Sequence, residues 1–162
     1  MKSTASFSKS SETQASVLTK VSVLGATGSI GLKTLEIVRQ FPQKFQIEAL
    51  SCKSSIEQLR EQIIEFKPRI VCVDTSGQAS ELKETFSIRQ GSPETEFVWG
   101  REGLKQISSD NETDLVVAGI VGAAGLEPTY SAVEAGKIVA VANKEPLVMA
   151  GELFMQTAKK TG

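Results

Sequence analysis

From Lys20 onward, short apolar runs alternate with longer amphipathic ones. The runs at Val21–Leu24, Gln46–Leu50, Ile70–Val73, Glu96–Val98, Leu115–Ala118 and Ile138–Val141 are rich in β-branched residues and each predicts a strand. Between them the spacing lengthens to three and four residues. Ile56, Leu59, Ile63 and Phe66 mark one face of a helix, with Ser55 at the expected N-cap and Pro68 closing the unit. Strands this apolar, separated by helices, predict the α/β class: a doubly wound, Rossmann-like parallel sheet covered on both faces and joined by right-handed crossovers. Residues 1–19 break the pattern. They are rich in Ser and Thr and poor in large apolar groups, so they are expected to form a disordered N-terminal extension. They have no apolar core of a secretory signal, and the absence of arginine together with Glu12 argues against an organelle transit peptide.

The first strand leads into Gly25-Ala26-Thr27-Gly28-Ser29-Ile30-Gly31 and then the amphipathic run Leu32–Arg39. Strand, glycine turn and helix in this order suit a nucleotide phosphate. Gly25 permits the tight turn, Gly28 lets the backbone approach a pyrophosphate, and Gly31 lets the helix pack close to the strand. The unpaired N–H groups of the helix start, at the positive end of its dipole, then face the anion. The spacing is G-x-x-G-x-x-G rather than G-x-G-x-x-G. A bare turn needs neither three glycines in register nor the hydroxyls of Thr27 and Ser29. Residues 20–162 are therefore expected to be one dinucleotide-binding domain.

The second strand predicts which dinucleotide. NAD-preferring folds place a carboxylate after it, on the ribose 2′-hydroxyl. Here Leu50 is followed by Ser51-Cys52-Lys53-Ser54-Ser55, without an acid. Lys53, Ser54 and Ser55 suit a 2′-phosphate, so NADPH is expected over NADH; a plain polar loop with a helix cap is the alternative.

Two further segments fall after strands, at the edge where open α/β sheets bind ligands. Gly119-Ile120-Val121-Gly122-Ala123-Ala124-Gly125 offers small residues for close approach, or merely a helix entry. Ala142-Asn143-Lys144-Glu145 offers an amide for a nicotinamide or ribose, an ammonium for an anionic or carbonyl substrate, and a carboxylate for a ribose hydroxyl. It also reads as a helix start, with Asn143 as cap and Glu145 in the first turn.

Charge and composition narrow the partners. The net charge is −1 and the cations are scattered, which points to no nucleic acid and no membrane surface. Cys52 and Cys72 lack C-x-x-C spacing and are expected to be buried, reduced thiols. Asp110-Asn111-Glu112 precedes a strand, at the wrong end for a cofactor, and is expected to be a solvated loop rather than a metal site. Histidine is absent, which removes the commonest general acid–base group and metal ligand.

Three segments together, Gly25–Gly31, Gly119-Ile120-Val121-Gly122-Ala123-Ala124-Gly125-Leu126 and Ala142-Asn143-Lys144-Glu145, resemble the N-terminal domain of 1-deoxy-D-xylulose 5-phosphate reductoisomerases. The likeness runs through nearly all of residues 20–162. It implies an NADPH-dependent enzyme of non-mevalonate isoprenoid synthesis that rearranges and reduces a sugar phosphate to 2-C-methyl-D-erythritol 4-phosphate, with Mg²⁺ or Mn²⁺ in the full-length enzyme. By the same resemblance Thr27, Gly28, Ser29 and Ile30 contact the cofactor phosphates, Asn143 and Glu145 contact NADPH, and Lys144 contacts substrate. The family's G-x-N loop is replaced here by Lys53-Ser54-Ser55. Its D-S-E-H metal motif, substrate-phosphate serines, catalytic histidine and lid are expected beyond Gly162. The chain by itself is therefore expected to bind NADPH, to carry no catalytic or metal-binding residue and to turn nothing over. The full-length protein is expected to be a homodimer, cytoplasmic in a bacterium or plastidial in a eukaryote.

Two rivals from other reductases are weaker. A Tyr-x-x-x-Lys enzyme fails because Glu134 stands four residues after Tyr130, the one tyrosine. A semialdehyde-dehydrogenase-like domain shares the G-A-T-G start but needs a nucleophilic cysteine. A non-catalytic NADP-sensing module would not need Lys144.

Overall fold

The structure, a computed structural model, describes residues 18–87, 94–142 and 144–161. All but the last two residues of the expected N-terminal extension lie outside these. Thr19 itself already belongs to the first strand, because its N–H donates to the Lys44 carbonyl at 2.8 Å.

Six strands are described: β1 (Thr19–Leu24), β2 (Phe45–Ser51), β3 (Ile70–Val73), β4 (Glu96–Trp99), β5 (Leu115–Ala118) and β6 (Ile138–Val141). They alternate with helices α1 (Ser29–Gln40), α2 (Ile56–Phe66), α3 (Ser76–Ser87), α4 (Gly100–Ser109), α5 (Leu126–Glu134) and α6 (Glu145–Thr161). All strand pairs are parallel, in the order β4-β3-β2-β1-β5-β6. The chain winds outward from β1 in one direction and, after β4, restarts on its other side. That reversal opens a crevice beyond the carboxyl ends of β1 and β5, where ligands bind in such sheets.

The period-two geometry of the strands sorts the core into two layers. Val21, Val23, Val71 and Val73 face one side, where Leu35 and Val38 of α1, Leu59 and Ile63 of α2 and Leu82 of α3 cover them. Leu24, Ile70, Cys72 and Val116 face the other side, under Ile107 of α4 and Ala132 of α5. Each fully buried Leu or Ile contributes about 1.5–3 kcal/mol. This two-sided burial is why the strands read as unbroken apolar runs.

α2 carries its predicted face, with Leu59 and Ile63 fully buried and Ile56 and Phe66 packed at the margin. It stops at Lys67, which takes a left-handed conformation (φ 49°) just before Pro68. Ser55 stands at the N-cap, but among the described residues its side chain makes no cap hydrogen bond. Its backbone (φ −86°, ψ 64°) is not the extended one from which a serine hydroxyl reaches back, and only its carbonyl serves, accepting from Leu59 N at 3.0 Å.

The amino ends of the strands are held by ion pairs. Arg69 binds both Glu48, which is buried, and Asp110, while Lys20 binds Glu112. The Lys20 N–H also donates to Asp114 Oδ2 at 2.8 Å. The Asp110–Glu112 carboxylates are thus engaged with cations of the sheet, at the end away from the crevice. α6 packs on α5 through Tyr130 and Phe154, whose rings meet edge to face at 5.6 Å, and the Tyr130 hydroxyl lies 3.2 Å from Thr157 Oγ1.

Candidate functional site

The glycine turn forms where β1 ends. Gly25 takes φ +82°, a conformation open to glycine and strained for other residues. The Gly28 N–H closes the turn on the Gly25 carbonyl at 3.1 Å, and Gly28 then caps α1. At Gly31 a Cβ would fall 2.3 Å from the Gly25 carbonyl oxygen and 2.5 Å from Ala26 Cα. The helix therefore rests on the turn at a distance that only glycine permits. The first turn of α1 reads Ser29-Ile30-Gly31-Leu32, without a carboxylate, and its opening N–H groups have no acceptor within the helix. Their partial positive charge is directed toward the crevice.

Neighbouring elements clamp this turn in place. The Gly25 N–H donates to Ser51 Oγ at 2.9 Å and the Ala26 N–H to the Ser51 carbonyl at 2.7 Å. Gln62 of α2, itself buried, donates Nε2–H to the Ala26 carbonyl at 3.1 Å. Thr27 Oγ1 lies 3.2 Å from Cys52 Sγ. Sequence pattern alone missed Ser51 and Gln62 as site residues. A glutamine in the inward stripe of α2, between Leu59 and Ile63, was the available signal.

A cavity of about 490 Å³ occupies the crevice across the carboxyl ends of β1, β2, β3 and β5. Of the predicted residues, Thr27, Gly28, Lys53 and Ser54 line it, as do Gly119, Ala123 and Ala124 of the second small-residue segment. Close approach there is real: a Cβ at Gly119 would sit 2.9 Å from the Leu24 carbonyl oxygen. Ser29, Ile30 and Ser55 are outside the lining. Ser29 and Ser55 are exposed, and the Ile30 side chain lies against Gly119. Lys53 is exposed, and its carbonyl accepts from Gln78 Nε2 at 3.1 Å, which ties the loop to α3.

Three charged residues not foreseen from sequence also face the cavity: Asp74 after β3, Arg101 at the start of α4 and Glu127 at the start of α5. Arg101 and Glu127 form an ion pair. That hydrogen bond lowers the Glu127 carboxyl below its ordinary range and raises Arg101 above its own. Both cysteines are free and buried. Burial, with a lesser push from the Asp74 charge, raises the Cys72 thiol to about 12, a poor setting for a nucleophile.

The third segment lies farther along the same edge. The Ala142 N–H donates to the Ala118 carbonyl at 3.3 Å, which joins the end of β6 to that of β5. Lys144 is exposed immediately before α6, and Glu145 opens that helix half-buried, its Oε2 without a hydrogen-bond partner among the described residues. Neither lines the cavity. Asn143 lies outside the described residues. Among the described residues no group of three or more His, Cys, Asp or Glu side chains converges as a metal site.

The family model described as 1-deoxy-D-xylulose 5-phosphate reductoisomerase matches residues 21–151. The chain belongs to that family. The reductoisomerase of Dechloromonas aromatica is 47% identical over 147 residues, which cover 91% of this chain and 36% of that protein. The one from Shouchella clausii is 44% identical over 141 residues, or 87% of this chain and 36% of the relative. Solved structures agree with the fold. A DOX-P reductoisomerase in complex with NADPH, fosmidomycin and magnesium superposes with TM-score 0.84 at 44% identity, covering 90% of this chain and 35% of that one. The Zymomonas mobilis reductoisomerase in complex with NADPH gives TM-score 0.81 at 31% identity, covering 90% and 37%. The chain thus spans little more than a third of the length of the reductoisomerases it matches.

Proposed function

We propose that residues 20–162 form the NADPH-binding domain of a reductoisomerase that converts 1-deoxy-D-xylulose 5-phosphate to 2-C-methyl-D-erythritol 4-phosphate. The observation that carries this is the juxtaposition in one cavity of the glycine turn and the acid-free Lys53-Ser54 loop. The solved reductoisomerase complexes with NADPH support it. The residues fit the cofactor: a turn with no side chain between backbone and anion, a helix N-terminus without a carboxylate, and an ammonium where NAD-preferring folds place an acid.

In this reading Thr27, Ser29 and Ile30 hold the pyrophosphate through backbone amides and the two hydroxyls, and Gly28, whose N–H closes on the Gly25 carbonyl, lets the anion approach the backbone. Lys53, with Ser54 and Ser55, holds the 2′-phosphate; the position of Ser55 outside the cavity makes it the weakest of the three. Asn143 and Glu145 orient the nicotinamide half, and Lys144 presents its ammonium to the substrate. When bound, NADPH supplies the hydride of the reduction. Mg²⁺ or Mn²⁺ would supply Lewis-acid polarisation of the substrate in the whole enzyme, and none of its ligands is assigned to the described residues. In this proposal the whole enzyme is a homodimer, cytoplasmic in a bacterium or plastidial in a eukaryote.

Lys53→Ala tests the assignment. An exposed ammonium on a phosphate contributes modestly, so NADPH affinity is expected to fall about five- to tenfold while NADH affinity is unchanged. An equal loss for both would remove Lys53 from the 2′-phosphate site.

A further inference from the structure

We propose that Gln62 is a positioning residue for the cofactor's phosphates, and that its buried carboxamide turns the Thr27 N–H toward the anion. This rests on the dinucleotide reading above and names the part that prepares the site. Gln62 sits on α2, away from the cavity lining, and is 5% exposed. Its helix neighbours Leu59 and Ile63 are fully buried, so its side chain occupies a place in an apolar layer. A carbonyl can only accept, so the nitrogen of the amide is the atom facing Ala26 O at 3.1 Å. The Oε1 atom is buried with no hydrogen-bond partner among the described residues. A position serving packing alone would carry Leu or Met and avoid an unmatched acceptor.

The hydrogen bond has a directional consequence. The Ala26–Thr27 peptide is trans, so its carbonyl and N–H point in opposite directions. With the carbonyl drawn down toward α2, the Thr27 N–H points away from α2. Thr27 lines the cavity, and its N–H has no acceptor among the described residues. Ser51 completes the clamp from β2 by accepting the Gly25 N–H and, through its carbonyl, the Ala26 N–H. Three hydrogen bonds from β2 and α2 thus set three successive peptides, Leu24–Gly25, Gly25–Ala26 and Ala26–Thr27, before any ligand arrives. Donors fixed in advance bind an anion without the reorganisation that a mobile turn requires.

The test uses the chain itself and the variant Gln62→Met, which keeps the length of the side chain and removes both the donor and the unmatched oxygen. The Kd for NADPH is measured by calorimetry, that for inorganic pyrophosphate from the Thr27 amide resonance, and stability by urea unfolding. The variant exchanges one unmatched acceptor, Gln62 Oε1, for another, the Ala26 carbonyl, so the proposal expects a folded chain with a urea midpoint near that of the wild type, both affinities lowered about five- to tenfold and the pyrophosphate-induced shift of the Thr27 amide reduced. Unchanged affinities would overturn it. A variant that unfolds, or that loses affinity only as its folded fraction falls, would also overturn it, because Gln62 would then be a structural residue. A wild-type chain that answers to pyrophosphate but not to NADPH would sink the dinucleotide reading and leave the role of Gln62 to be read from pyrophosphate. A wild-type chain that binds neither would remove both.

Discussion

Replacing Gly31 by alanine sets two effects against each other, and the distances decide between them. Alanine in a helix is favoured over glycine by about 1 kcal/mol, so at an open helical position the change would stabilise. At Gly31 the added methyl would meet three backbone atoms, at 2.3 Å, 2.5 Å and 2.6 Å, where ordinary contact begins near 3.4 Å. None of the three belongs to a flexible side chain that could turn aside. Relief therefore requires α1 to retreat from β1 by about an ångström, which opens the layer formed by Leu35 and Val38 against Val21 and Val23. Overpacking of this kind costs typically 1–3 kcal/mol, and contact with backbone places it at the upper end. The net expectation is a loss of roughly 2 kcal/mol, or about 4–8 °C in Tm for a domain of this size. Urea and thermal unfolding followed by circular dichroism measure it. The same retreat moves the helix N-terminus away from the Gly25 turn, so NADPH affinity should fall as well. A Gly31→Ala chain as stable as the wild type, or more so, would refute the close-packing argument.

Two other expectations concern groups away from the turn. Arg69→Met leaves the buried Glu48 carboxylate without its cation; the expected cost is about 3 kcal/mol in urea unfolding, recovered in large part by adding Glu48→Gln, and a neutral single variant would contradict it. The Cys72 thiol, raised from an ordinary 9.0 to about 12, stays protonated in the folded chain after it has ionised in the unfolded one. Its contribution to stability is therefore complete below pH 9 and is lost as the pH climbs toward 12. Cys72→Ser should flatten that decline, and iodoacetamide at pH 8.5 should modify Cys72 only as fast as the chain unfolds; modification at the rate of a free peptide thiol would show the site to be open.

Much of the scaffold was legible because burial on both faces of a parallel sheet leaves a plain mark. Ile70–Val73 and Leu115–Ala118 appear at the bounds read from the sequence, since four apolar residues in a row fit little else. Ends were less legible: Ser51 and Trp99 extend β2 and β4 through backbone pairing with the neighbouring strand, which local sequence does not encode. The glycine turn was readable because Gly25 and Gly31 answer to local geometry. Ser51 and Gln62 were not, since their roles depend on β2 and α2 lying beside the turn. Ser55 stands at the N-cap that its residue type predicts, while its hydroxyl, on a backbone with ψ 64°, makes no cap hydrogen bond. The segment around Lys144 was placed at the right edge of the sheet by its position after β6, while its distance from the cavity depends on how α6 leaves that edge.

In the proposed reading the cavity at the end of β1 holds NADPH, and the acid-free loop after β2 selects it. Calorimetric titration of the chain with NADPH and with NADH tests this most directly. One site per chain is expected, with NADPH bound more tightly by at least the five- to tenfold that about 1–1.4 kcal/mol of phosphate recognition provides. Equal affinities, or no binding of either nucleotide, would contradict it.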